Sequence, residues 1–297
     1  MAFATNEVDI YRGTQGLSLP PELSAEILEK TTHESAIMRL AERVTMPGSG
    51  ISMNVITGDP VADWTVESTE KPVSTSTFET KTMTPYKIAV IELFSNEFRR
   101  DLPSLYDALV RRLPYAISKK FDETIFHGTA PGTGFDVLSG IAAVDIATNT
   151  YQQLVGVKTN IAQADYQLNG WAISPAMDGL LLSTVDGQLR PLFINSVTND
   201  DNVSRLLGAA TFETPHVYKA GTPDVIGFAG DWRQARYGIV DGINVEISTQ
   251  ATINDGTNQI NLWQRNMFAV RAEAELAFIY TDADAFVKLT ATEADSE

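Results

Sequence analysis

The residues of this chain that could do chemistry are few and scattered. Three histidines, His33, His127 and His216, stand far apart. No serine sits in a Gly-x-Ser-x-Gly elbow, and no His-Glu-x-x-His sequence offers a zinc site. A triad built from residues distant in sequence stays open, but each histidine reads first as structural or solvent-exposed. Cysteine is absent, which excludes thiol catalysis, thiolate metal sites and disulfide scaffolds. The inventory implies no enzyme, no cofactor and no metal.

The remaining candidates have plainer readings beside the functional ones. The stretch from Gly128 to Gly134 is rich in glycine, yet it follows a helical pattern rather than a strand. It lacks both the Lys-Ser/Thr ending of a phosphate loop and a complete G-x-G-x-x-G, so a helix stop and turn is expected. Asp200-Asp201-Asn202 and Asn254-Asp255-Gly256 carry oxygen ligands without the spaced acids and terminal Glu of a calcium loop. Glu273/Glu275 and Asp282/Asp284 sit two residues apart, which on a strand puts each pair on one face. Such carboxylates can share a site, but a solvated strand face is the plainer expectation. Arg99, Arg100, Arg111, Arg112, Lys119 and Lys120 fall in one short basic stretch. Arg112 and Lys119 lie on one helix face to within about 20° and would make a weak stripe facing nucleic acid. Pairing within the helix, Asp107 with Arg111 and Lys119 with Glu123, competes with that reading.

The elements that would position these residues belong to a folded chain. Of 297 residues, 43% are hydrophobic and 20% charged, which suits one large or two ordinary domains. No run approaches the roughly 18 apolar residues of a membrane-spanning helix. The start, MAFATNEVDI, lacks the basic and apolar regions of a secretory signal. The net charge of −16 disfavours tight nucleic-acid binding by the chain as a whole.

Residues 1–19 are polar and without period, and read as a flexible arm. Pro20 and Pro21 open a helix carrying Leu23, Ile27 and Leu28. Ile51, Met53 and Val55 alternate as in a strand. From Gly58 to Pro85, Thr, Ser and Glu dominate, and Val61, Trp64, Val66, Val73 and Phe78 are isolated. That composition predicts a long projecting hairpin. Ile88, Val90, Ile91, Leu93 and Phe94 predict a buried strand. Leu105, Leu109, Leu113, Ile117, Phe121 and Ile125 step by four and predict one long helix, bent at Pro114. Phe268, Val270, Ala272, Ala274, Leu276 and Phe278 alternate with polar residues and predict a half-buried strand. An acidic tail is expected from Thr290. Two protrusions without a core of their own argue for burial on neighbours, as in an assembly subunit.

Several stretches together resemble one family. Leu19-Pro20-Pro21-Glu22-Leu23-Ser24-Ala25-Glu26-Ile27, with the turn at Met46-Pro47-Gly48, resembles the start of tailed-phage major capsid proteins of the Hong Kong 97 fold. Asp59-Pro60-Val61-Ala62-Asp63-Trp64 with Glu70-Lys71-Pro72-Val73-Ser74 resembles that family's extended loop. Lys87–Val90 through Ser95–Phe98 resembles the strand entering its spine helix, and Phe121-Asp122 with His127-Gly128-Thr129 the end of that helix. Leu138–Ile141, Gly230–Gly238 and Ala283–Val287 resemble later signatures. The ordered match covers about residues 19–290.

The resemblance implies an α+β fold of the Hong Kong 97 type. Its parts would be an N-terminal arm with the first helix and strand (1–57), the extended loop (58–85) and a peripheral domain with the spine helix (86–145). An axial domain (146–262) and a C-terminal strand returning to the peripheral domain, with the acidic tail (263–297), would follow. It implies pentamers and hexamers of an icosahedral head, assembled in the bacterial host cytoplasm around double-stranded DNA that is enclosed rather than specifically bound. Portal, separate scaffolding and decoration proteins are the implied partners. The separate scaffold is expected because only about 18 residues precede Leu19, too few for a helical scaffolding domain. Asp63, Trp64, Glu70 and Lys71 are the implied assembly contacts, and Arg112 and Lys119 an interior basic face. An encapsulin-type cargo shell of the same fold is the alternative.

Overall fold

Residues 86–95 and 267–280 form the two longest strands among the described residues. The computed structural model describes residues 35–58, 60–67, 69–71, 73–97, 103–185, 205–240, 244–254, 256 and 258–291. The expected arm, the helix opened by Pro20 and Pro21, His33, and Asp200–Asn202 lie outside these residues. In chain order the described elements begin with α1 (Ala36–Leu40), β1 (Glu42–Thr45), β2 (Ile51–Gly58), β3 (Thr77–Met83), β4 (Tyr86–Ser95) and α2 (Pro103–His127). There follow β5 (Ala143–Asp145), α3 (Thr150–Gln163), β6 (Gly170–Ile173), α4 (Pro175–Ser183), β7 (Arg205–Leu206), β8 (Ala209–Glu213) and β9 (Asp224–Gly230). The chain closes with β10 (Ala235–Ile239), β11 (Asn244–Ser248), β12 (Thr252–Asn254), β13 (Gln259–Asn261), β14 (Met267–Tyr280) and β15 (Phe286–Ala291).

Two larger sheets organise the molecule. In the first, β14 is central: β4 pairs antiparallel along one side, β10 and β11 pair along the other, and β1 adds parallel to β10. Its inner face carries Phe268, Val270, Ala272, Ala274, Leu276 and Phe278, all buried in a core shared with Ile117, Phe121 and Ile125 of α2. The two periods, two on the strand and near four on the helix, meet along this contact. The second sheet runs β5-β15-β9-β6-β8-β7, and α3 and α4 close a second core around Trp171, Leu154, Val157, Ile161, Met177 and Leu289.

The structure corrects several expectations. Strand β4 is half-buried, not buried, with Ile91 49% exposed; it lies at the sheet's edge and α2 covers one face only. The acidic tail does not begin at Thr290, which is buried within β15. Asp282 and Asp284 stand in a turn, not on a strand: Asp282 caps the 3-10 turn Ala283–Ala285 through a bond from Asp284 N. The sheets join strands from distant parts of the chain. Strands β10 and β11, inside 146–262, hydrogen-bond to β10's and β11's common partner β14, while β15, inside 263–297, joins β5 and β9. The long helix spans Pro103–His127, Pro114 included.

Candidate functional site

The segment rich in Thr and Ser folds as a projecting hairpin, and its first strand starts earlier than Gly58. Strands β2 and β3 pair antiparallel from Ile51↔Met83 to Gly58↔Thr77. The base is anchored: Met83 is buried with Met46, Ala277 and Ile279, and Ile51 and Met53 pack against them. Gly238 makes this possible, because a Cβ there would lie 2.1 Å from Met46 Sδ and 3.0 Å from Met83 Sδ. Lys81 Nζ donates to Tyr280 O at 2.9 Å and stands 3.9 Å from Asp136 Oδ2.

Beyond the paired strands the tip has no core. Trp64 is 100% exposed, and Val61, Val66 and Val73 are also exposed. Local bonds shape the chain here. Val61 N donates to Ser74 Oγ at 2.8 Å across the tip, and Thr69 donates from both N and Oγ1 to Val66 O. Asp63, Glu70 and Lys71 are exposed beside Trp64, so all four predicted contact residues share one solvent-facing tip. Trp64 and three valines thus stand exposed on the tip.

The basic stripe is less distinct. Arg112 is half-buried, and Lys119 pairs with Glu123 at 3.7 Å, the intrahelical bond that competed with nucleic-acid contact. The side chains of Asp107 and Arg111 lie outside the description.

Sequence reasoning missed the polar centre of the molecule. Asp122, fully buried on α2, accepts from Ser35 Oγ at 2.5 Å and from Ala36 N at 2.8 Å, fastening the start of α1 to the helix. His216 Nδ1 lies 3.6 Å from Asp122 Oδ2, and His216 Nε2 is 2.8 Å from Tyr115 Oη. Burial pushes the Tyr115 phenol up, opposed by the nearby Arg112 charge. Asp, His and Tyr thus stand in a row, but they are enclosed by both cores' neighbours and tie α1, α2 and the second sheet together. The signal was available: a carboxylate directly after Phe121 on an apolar stripe demands partners.

The other candidates have structural roles. Gly134 has φ of +78°, and a Cβ there would lie 2.6 Å from Thr84 Oγ1; Gly134 O accepts from Thr84 N at 2.9 Å. The glycine-rich stretch therefore supports the hairpin base. Glu273 and Glu275 flank Lys87 of β4, at 4.0 and 3.3 Å, on the solvated sheet face. Asp282 accepts from Tyr166 Oη at 2.9 Å, and burial with this carboxylate holds the Tyr166 phenol up to about 12. Asn254 Oδ1 accepts from Gly256 N in the β12–β13 turn. Burial pushes the His127 imidazole down. Among the described residues no group of three His, Asp or Glu side chains could hold a metal ion.

Comparison with known proteins points one way. A sequence profile described as the Phage capsid family matches residues 15–291. The chain is 31% identical to the "Probable major capsid protein gp17" of Mycobacterium phage L5, over 93% of this chain and 90% of that protein. It is 30% identical to the protein of the same description from Mycobacterium phage D29, over 92% and 89%. A solved chain from Mycobacterium phage Adephagia superposes with a TM-score of 0.75 at 21% identity, covering 96% of this chain and 99% of that one. A chain from the "Capsid of empty GTA particle computed with C5 symmetry" superposes at 0.67 with 12% identity, covering 93% and 100%.

Proposed function

The chain belongs to the phage capsid family, and we propose that it works by forming closed shells through its projecting hairpin. Its fold is of the Hong Kong 97 type, and it is a major capsid protein, a structural component of the virion. Subunits of this kind assemble by packing, with binding energy drawn from surfaces left unsatisfied in the single chain. The observation that carries the reading is the hairpin tip, with its fully exposed Trp64 on strands anchored at Met83.

In this reading the tip lies over a neighbouring copy, with Trp64 as the apolar anchor and Asp63, Glu70 and Lys71 as the polar rim. The shell is an icosahedral head of pentamers and hexamers that encloses double-stranded DNA and is built in the bacterial cytoplasm. The sheet built on β14, with α2, corresponds to the peripheral domain; the sheet built on β9 and β15, with α3 and α4, corresponds to the axial domain. Arg112 and Lys119 face the interior. Scaffolding, portal and decoration proteins act as separate partners. A cargo shell is the less favoured reading, because the curated relatives are described as phage capsid proteins. Electron microscopy of the purified protein tests the proposal. Shells or capsomers are expected, and Trp64→Ser should reduce their yield; monodisperse subunits at high concentration would overturn it.

A further inference from the structure

The last turn of α2 meets the second sheet along a seam. The Phe126 ring lies 4.8 Å from Phe228 of β9, centre to centre, and meets Trp232 edge-on at 6.5 Å. The next ring along the helix, His127, lies 5.9 Å from the same Phe228. Lys219 Nζ donates to His127 O at 3.2 Å, and Lys219 exchanges both backbone bonds with Val225. The segment that follows the 3-10 turn Pro215–Val217 is thus fastened between helix and sheet. Within the seam the His127 ring bonds to the Val217 and His216 backbone, while its Nε2 is buried and has no hydrogen-bond partner among the described residues. A neutral imidazole fits there, with one nitrogen donating and the other keeping a lone pair. An imidazolium does not, because Nε2 would then carry a charged donor with no acceptor.

We propose that this seam is an acid-sensitive joint: when a proton binds His127, the ring leaves its place and the end of α2 releases the segment 215–219. The charged groups around the ring do not hold the cation. Lys219 repels it. Glu123, one turn earlier on α2, attracts it but is paired with Lys119 at 3.7 Å. Asp122 is taken up by Ser35 and Ala36, with His216 beside it, and Asp224 of β9 by Tyr218 and Gly221. Burial is the largest influence on His127 and pushes its pKa below the ordinary imidazole value. In the open joint the ring returns to that ordinary value, about 6.5. The closed joint is therefore fully favoured above this value and loses its advantage as pH falls through it toward the lower value of the closed form. One unit below, the open form is about ten times more often protonated than not, so opening rises by up to about tenfold.

Hydrogen exchange of the full chain, read by mass spectrometry at about pH 7.5 and about pH 5.5, tests the joint; histidine is the side chain whose ordinary pKa falls between these values. Rates are corrected for the intrinsic effect of pH on exchange. Peptides covering 124–128 and 215–219 should lose up to about tenfold in protection at the lower pH, while peptides of β14 keep theirs. His127→Gln retains an amide donor and takes no proton, so its seam should be equally protected at both values. His127→Phe fills the same place with an apolar ring and should behave alike. Unchanged seam protection in the wild type, a loss shared equally by β14, or an undiminished loss in the two variants would each overturn the proposal. The contrast between seam and β14 is read in the wild type, so it holds even where a variant fails to fold.

Discussion

Excising the hairpin tip separates folding from assembly. The perturbation replaces residues 59–76 by Asn-Gly, a two-residue turn suited to joining Gly58 and Thr77, the last paired residues of β2 and β3. Shortening the connection from 18 residues to two lowers its closure cost by about 2 kcal/mol, from (3/2)RT ln(18/2). The losses are small. Val61, Trp64, Val66 and Val73 are exposed, so no apolar burial is given up. The bonds from Val61 N to Ser74 Oγ and from Thr69 to Val66 O are exposed and contribute roughly 1 kcal/mol in total. The balance is a stabilisation of about 1 kcal/mol, or roughly 2 °C in Tm for a chain of this length. Calorimetry on unassembled subunits should therefore show one cooperative transition at an equal or slightly higher Tm. Sedimentation and micrographs should show no shells. A fall of more than about 5 °C would mean that the tip belongs to the folding unit; intact shells would mean that the tip is not an assembly contact.

Asp122→Ala leaves two buried donors, Ser35 Oγ and Ala36 N, without their acceptor, and should cost about 2–5 kcal/mol in denaturant unfolding; Asp122→Asn, which keeps one oxygen, should cost less, and equal stability of the alanine variant would refute the role. Arg112→Glu with Lys119→Glu should still yield DNA-filled particles, because a closed shell retains DNA by enclosure; empty shells with normal assembly would contradict this. Boiled denaturing gels of mature shells should show a single band near 32 kDa, for a chain of 32.4 kDa. Lys81 is held by Tyr280 O, and Lys71 is exposed rather than enclosed in the kind of desolvated site that activates an amine; higher bands would show covalent joining.

Local periodicity made the elements legible, while partner choice stayed hidden. The alternation at residues 268–278 and the four-residue step at 117–125 express burial against a single surface, and each forms as that pattern requires. Exposure of β4 was misread because Ile88, Val90, Ile91 and Leu93 look equally apolar; only the pairing with β14 reveals that Ile91 faces solvent. The same limit hid the pairing of β10 and β11, whose partners on β14 lie about 20 to 45 residues onward. Tyr115 and Asp122 share a face of α2 at a spacing of seven, but Ser35 and His216 come from distant elements that no spacing rule joins to them.

The bare hairpin tip was legible for the opposite reason. A stretch that cannot find apolar partners within its own chain announces this in composition, since isolated Val and Trp among Thr, Ser and Glu cannot build a core. The structure leaves Trp64 in water while it secures the hairpin's base with Met83 and Lys81. A firm base with a bare tip favours docking over local collapse, because the strands are ordered before the neighbour arrives and less entropy remains to be lost on contact. Weakening the base should therefore impair assembly without touching any contact residue. Gly238→Ala drives a Cβ into Met46 Sδ and makes the Met46 and Met83 side chains at the hairpin's base repack. If shells of that variant form at the normal rate, the tip docks through its own adaptability, and anchoring of the base is not what prepares it.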